Sequence, residues 1–167
     1  RRLPQNPGLL LALAHREGRT GHRDRAARRL QEALAREGMD LQRARRICEE
    51  LLAEAPQHGE LRLLLHDLLL REGEVEAAAE ALPDTGALPR DRQAALAERL
   101  AALQRRGLDR PFVALRRAEA LRRADRREES LEVLEKALEA AHGEDRIRVA
   151  GELARGCLLY TSDAADE

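Results

Sequence analysis

A chain of 167 residues that is 37% charged, yet carries a formal net charge of -1, has no surplus of either sign with which to hold DNA or an anionic membrane. No apolar run approaches the roughly 18 residues that a membrane-spanning helix needs, so no span is expected. Cys48 is the only thiol ahead of Cys157, which excludes a disulfide framework and a cysteine-based metal site.

The core must be built from Leu and Ala. Phe112 is the only aromatic before Tyr160, and the β-branched residues that strands prefer are scarce. Such a composition suits helix-on-helix packing. Lys136 is the single Lys. The Arg excess reads either as guanidinium recognition of phosphate or carboxylate or as the codon bias of a GC-rich genome, and the matching number of acids favours the second.

In chain order, Asn6-Pro7 predicts an N-cap and first position for a helix running to about Gly18. A second is expected over 22–37, with Ala26, Leu30, Ala33 and Leu34 on one stripe and Gly38 closing it. Asp40 caps a third, which turns Ala44, Ile47, Cys48, Leu51 and Leu52 inward and stops before Pro56. The fourth, 59–72, contains LRLLLHDLLL and should be buried on two sides. Gly73 ends it, and a shorter fifth holds Val75, Ala78, Ala79 and Leu82. LPDTGALPR then forms the one loop longer than a tight turn. Helices resume over 91–106, from an Asp109 cap to about Arg123, and from an Asp125/Glu128 capping box to His142-Gly143. A last begins near Glu144. Joints of two to four residues make successive helices antiparallel.

Repeats are present but worn. Ala44, Ala78 and Ser130 fall at one point of a second helix, with Cys48, Leu82 and Leu134 four residues on. The first step is 34 residues and the next 52, which reads as an array interrupted at the Pro-rich loop. GHRDRAARRLQEAL fits the same template. With Pro56, Gly73, Ala78, Ala137 and Leu138 at matching positions, residues 8–155 resemble the tetratricopeptide repeat family. That resemblance implies an all-α fold of about nine helices, with antiparallel hairpins stacked as a right-handed tetratricopeptide-like α-solenoid over 8–156, interrupted by loop 83–90. It also implies a concave groove lined by Glu60, Leu63, Asp67, Leu70 and Arg71 in one unit and by Phe112, Leu115, Glu119, Arg122 and Arg123 in another. The family's aromatic positions hold Leu or Arg here, and the Lys/Asn pattern that clamps a C-terminal carboxylate is absent.

The two ends read differently from the middle. Residues 1–7 form a lead-in without Met. CLLYTSDAADE, residues 157–167, resembles translated sequencing-adapter sequence, as expected of a metagenomic bacterial fragment. The last hairpin would then lack its second helix and leave Ile147, Val149 and Leu153 as an uncapped apolar edge.

The sequence offers no constellation of catalytic or metal-binding residues. His15, His22, His58, His66 and His142 offer no HExxH or three-to-four spacing, so no metal or cofactor is expected. GRTG at 18–21 lacks the Lys-Ser/Thr of a phosphate loop, and the recurring His58-Gly59-Glu60 and His142-Gly143-Glu144 read as linkers. Glu49-Glu50 and Glu128-Glu129 are adjacent, hence on diverging directions. No catalytic residues are expected. The leading expectation is a protein-interaction scaffold that takes a peptide or partner helix. The alternative is a helical sensor or docking segment of a larger regulator or enzyme. Nucleic-acid binding is the weakest reading, because stacking aromatics are lacking. The compartment stays open, with the cytoplasm slightly favoured.

Overall fold

The computed structural model describes residues 6–163, with side chains through Cys157. Among these residues the chain is all-helical: α1 (Pro7–Arg19), α2 (Arg23–Leu34), α3 (Leu41–Glu54), α4 (Gly59–Glu72), α5 (Val75–Ala81), α6 (Arg90–Arg105), α7 (Pro111–Arg123), α8 (Arg127–Ala140) and α9 (Gly143–Asp163). A 3-10 turn at Thr85–Ala87 lies in the Pro-rich loop. Two compact units divide at residues 87 and 88.

In the first unit α1 packs on α2 and α3, α2 on α3 and α4, α3 on α4, and α4 on α5. Helices therefore alternate between two rows, with α1 beside α3 and α2 beside α4. The core is Leu and Ala as composition requires: Leu10, Leu11, Ala14, Ala26, Leu30, Ala33, Ala44, Leu51, Leu61, Leu64 and Leu68. Small residues set the spacing. Ala14 and Ala26 are wholly buried where α1 meets α2. A Cβ on Gly18 would fall 2.2 Å from Leu51 Cδ2, so α1 and α3 approach each other more closely than any other residue type allows. In the second unit α6 packs on α7, α7 on α8, and α9 on both α7 and α8. Its buried side chains include Leu96, Leu100, Leu103, Val113, Leu121, Leu134 and Val149.

Helix starts reveal a spacing that the 34-residue register does not anticipate. Pro7, Gly59 and Pro111 open α1, α4 and α7, each 52 residues after the last, and Arg23, Val75 and Arg127 open α2, α5 and α8 at the same interval. Leu11, Leu63 and Leu115, then Leu30, Leu82 and Leu134, recur at that spacing. So do the left-handed residues Gly21, Gly73 and Asp125, with φ of 82°, 86° and 66°. The step from Ala78 to Ser130 is thus one full period, not an interruption. Three helices make one period.

The hairpin at each start has a common joint. In the first hairpin the corresponding positions are Ala14 and Ala26, both wholly buried. In the next hairpin His66 Nδ1–H donates to the Ala78 carbonyl at 2.9 Å, and in the third Ser130 Oγ donates to the Ala118 carbonyl at 2.8 Å. The donor comes from the first helix in one and from the second in the other. Both tie the same two backbone positions.

Several caps differ from expectation. Asn6 and Asp40 cap α1 and α3, their side chains accepting from Gly8 N and Arg43 N. α2 ends at Leu34, short of Gly38, where Ala35 and Arg36 N–H groups close onto Gln31 and Ala33 carbonyls. Asp109 does not cap α7: Arg110 is the N-cap, Pro111 takes the first position, and Asp109 accepts from Gln104 instead. The Asp125/Glu128 box does not form. Asp125 closes α7 in a left-handed conformation, with Arg126 N–H reaching the Leu121 carbonyl, and Arg126 is the N-cap of α8. α9 runs on as helix through Asp163, past the expected break at 156, because extending an established helix costs far less than starting one. Residues 1–5 of the lead-in and 164–167 of the tail lie outside the described residues.

Asp125 occupies a position that its two counterparts fill with Gly. Asp125→Gly is expected to stabilise the chain by about 1 kcal/mol, because the left-handed penalty disappears, while the ion pair lost to Arg90 is exposed and contributes little. The urea midpoint measures it, and a lower midpoint would contradict the strain.

Candidate functional site

α4 is buried on more than one side, through Leu61, Leu63, Leu64, His66, Leu68 and Leu69. α3 and α5 flank it, and a cleft of about 470 Å³ opens between the three. Its floor is Leu52, Leu65, Leu69, Ala77 and Ala81; its rim carries Arg45, Glu49, Arg62 and Glu80. The small Ala side chains of α5 leave the space that Leu would fill. Arg62 is fixed by donating to the Pro56 carbonyl at 2.6 Å.

Arg45 organises the opposite rim. Its Nε donates to Glu49, and its Nη1 to both Glu72 and Glu74, each at 2.8 Å. Gln42 donates to the other Glu72 oxygen at 2.7 Å. Hydrogen bonds to Glu49, Glu72 and Glu74 raise the guanidinium pKa above its already high value, so the charge is permanent. This network pins α3 to the end of α4 and the start of α5.

The residues expected to line a groove fall elsewhere. On α4 they lie roughly 120–180° around the helix from the Leu65–Leu69 line, at 3.6 residues per turn. Leu63 is buried, while Glu60, Asp67 and Leu70 are half-buried. Arg71 is exposed, yet its Nη1 donates to the Leu34 carbonyl at 3.0 Å, which ties α4 to the end of α2. On α7, Phe112 is 45% exposed, Leu115 is half-buried, and Arg122 and Arg123 both donate to Glu119. The structure thus gathers Glu119, Arg122 and Arg123 into one cluster. None of the ten lines the cleft. What sequence reading missed was the Leu65/Leu69 line, taken as part of a helix buried on two sides, and the Ala77/Ala81 pair, which was not singled out although its i, i+4 spacing was visible.

Burial opposes ionisation of Glu119, but hydrogen bonds from Arg123 and Arg122 outweigh it and hold the carboxyl below its usual range. A depressed carboxyl contributes stability that is full above its unfolded pKa of about 4.3 and is lost as pH falls through the lower folded value. Glu119→Gln should therefore be less stable than wild type at pH 7 by under about 1 kcal/mol, since the pairs are partly exposed. The gap should close as pH falls through the lowered folded pKa of Glu119. A gap independent of pH would refute the assignment.

Cys48 is fully buried and donates to the Leu61 carbonyl at 3.1 Å. Burial pushes its thiol up to about 12, with the charge of Glu49 adding to it, so at neutral pH it packs as a small hydrophobe and is not a nucleophile. His58 is the N-cap of α4: its Nδ1 accepts from Leu61 N, and its Nε2 faces Asp24 at 3.2 Å. Among the described residues no three His, Cys, Asp or Glu side chains are placed to hold a metal ion, and no helix is long and apolar enough to cross a membrane.

No protein-family model matches this chain, and no curated protein matches it.

Proposed function

We propose that the chain is a protein-interaction scaffold of tetratricopeptide-like helix hairpins, and that it binds the apolar face of an amphipathic helix or peptide. The observation that carries the reading is the cleft of the first unit, with its Leu52, Leu65 and Leu69 floor and its rim of Arg45, Arg62, Glu49 and Glu80. An apolar floor takes two or three side chains at i, i+3 or i+4, and a rim of both signs pairs with the flanking charges of such a segment. The Arg45 network keeps one wall rigid before a partner arrives, which lowers the ordering cost of binding. Small residues at the Ala14/Ala26 joint and at Ala78 and Ala118 support the repeat reading.

Selection of displayed 15-residue peptides on the purified chain tests it. Enriched peptides should carry apolar residues at helical spacing. Ala77→Arg, which fills the cleft from its floor, should weaken their binding by at least about tenfold, the scale of a lost central contact. Enriched peptides that bind the variant as well as wild type, or no enrichment at all, would overturn the reading.

A further inference from the structure

The second unit contains a cleft of a different character. It measures about 320 Å³ and lies among α6, α7 and α8. Four cations border it, Arg105, Arg110, Arg117 and Lys136, the last being the only Lys of the chain, and the one acid is Asp109. Elsewhere on this protein Arg side chains repeatedly meet Glu, as Arg45, Arg122, Arg123 and Arg126 do. Here the pattern breaks. Arg105, Arg110 and Lys136 are exposed and make no side-chain hydrogen bond or ion pair among the described residues.

Arg117 is held in place for a different purpose than charge pairing. Its Nη1 donates to Gln104 Oε1 at 3.0 Å, and Gln104 in turn donates to Asp109 Oδ1 at 3.1 Å. Its Nε–H is buried and has no acceptor. Glu129 is close enough to interact with Arg117, but its carboxylate is held by Arg126 through two hydrogen bonds of 2.6 Å. α7 adds its N-terminus at the same place: Pro111 lines the cleft, and no side chain caps the helix. The rest of the lining is small and apolar, Ala114, Val133, Ala137 and Ala140 among it.

We propose that this cleft is a binding site for a small organic phosphate. The lining sums to a formal charge of +3 in a molecule of net charge -1, which matches a phosphate monoester or diphosphate and exceeds what one carboxylate would neutralise. The phosphate sits toward Arg110, Arg117 and the α7 N-terminus, and away from the carbonyl end of α8 at Ala140 and Ala141. The Ala and Val wall takes the organic part, and the cleft volume limits the ligand to a small molecule. The site is independent of the peptide-binding reading: it uses other helices, and either holds if the other fails.

Titration calorimetry with ribose 5-phosphate, ribose and inorganic phosphate tests it. Ribose 5-phosphate should bind and weaken with added salt, ribose should not bind, and inorganic phosphate should bind more weakly than the ester. Arg110→Ala with Lys136→Ala should lower the affinity by at least about tenfold. Both side chains are exposed and unpaired, so the helical circular dichroism should be unchanged. Arg16→Ala with Arg19→Ala, two cations on α1, should leave it as it was. No binding of the ester at about 10 mM, equal affinity for inorganic phosphate, or equal losses from the two double variants would overturn the proposal.

Discussion

Gly18→Val should destabilise the chain by about 2–3 kcal/mol, although Gly is a poor helix residue and its replacement on an open helix would help. The space is already taken: a Cβ at Gly18 meets Leu51 Cδ2 at 2.2 Å and Cδ1 at 2.9 Å, and Leu51 is itself buried and cannot swing out. Leu51→Ala alone should cost about 3 kcal/mol through the cavity it leaves. Combined, the two should cost clearly less than their sum, because the valine enters the space that leucine vacates. Urea unfolding of the four proteins measures the coupling. Strict additivity would show that α1 and α3 do not meet at this point.

Arg45→Ala carries the second large effect. It removes the cation on which Glu49, Glu72 and Glu74 converge and leaves three carboxylates facing one another. The Glu72 side chain is only 9% exposed, so water cannot fully replace its partner. A loss of about 2 kcal/mol is expected, above an ordinary surface pair and below a fully buried one. Arg45→Lys should recover part of it, since a single ammonium cannot reproduce directed bonds from Nε and Nη1. Raising salt from about 0.1 to 1 M should restore little, because screening acts weakly on a carboxylate with so little exposure. An alanine variant as stable as wild type would remove the network from any structural role.

The helices were legible because Leu and Ala recur at three and four residues, and because Asn6, Asp40 and Gly73 mark ends by mechanisms that act within one turn. Asp125 and Asp109 misled for the same local reason. Each is a good N-cap residue, but Pro111 sets the start of α7, and the left-handed turn after Arg123 leaves Asp125 on the wrong side of the α8 boundary. The 52-residue period was hidden by matching Ala44 to Ala78. Both are buried small residues, but Ala44 sits on the third helix of one period and Ala78 on the second helix of the next. The residues that line the cleft of the first unit were not recoverable from spacing alone. LRLLLHDLLL is apolar nearly all round, and which Leu faces the cleft depends on α3 and α5, elements distant in sequence. The cationic cleft escaped because a balanced total conceals an uneven distribution: Arg105, Arg110, Arg117 and Lys136 are spread over about thirty residues and meet only when α6, α7 and α8 pack.

An odd number of helices per period has an evolutionary consequence within the first unit. The chain reverses at each joint, so α4, the counterpart of α1, enters the row of α2 and not that of α1 and α3. Tandem copies of such a segment meet different neighbours from birth, even where the same position is buried in both, as Leu11 and Leu63 are. Drift at Leu11 is therefore felt by different neighbours than drift at Leu63, and each copy is free to specialise without breaking the other.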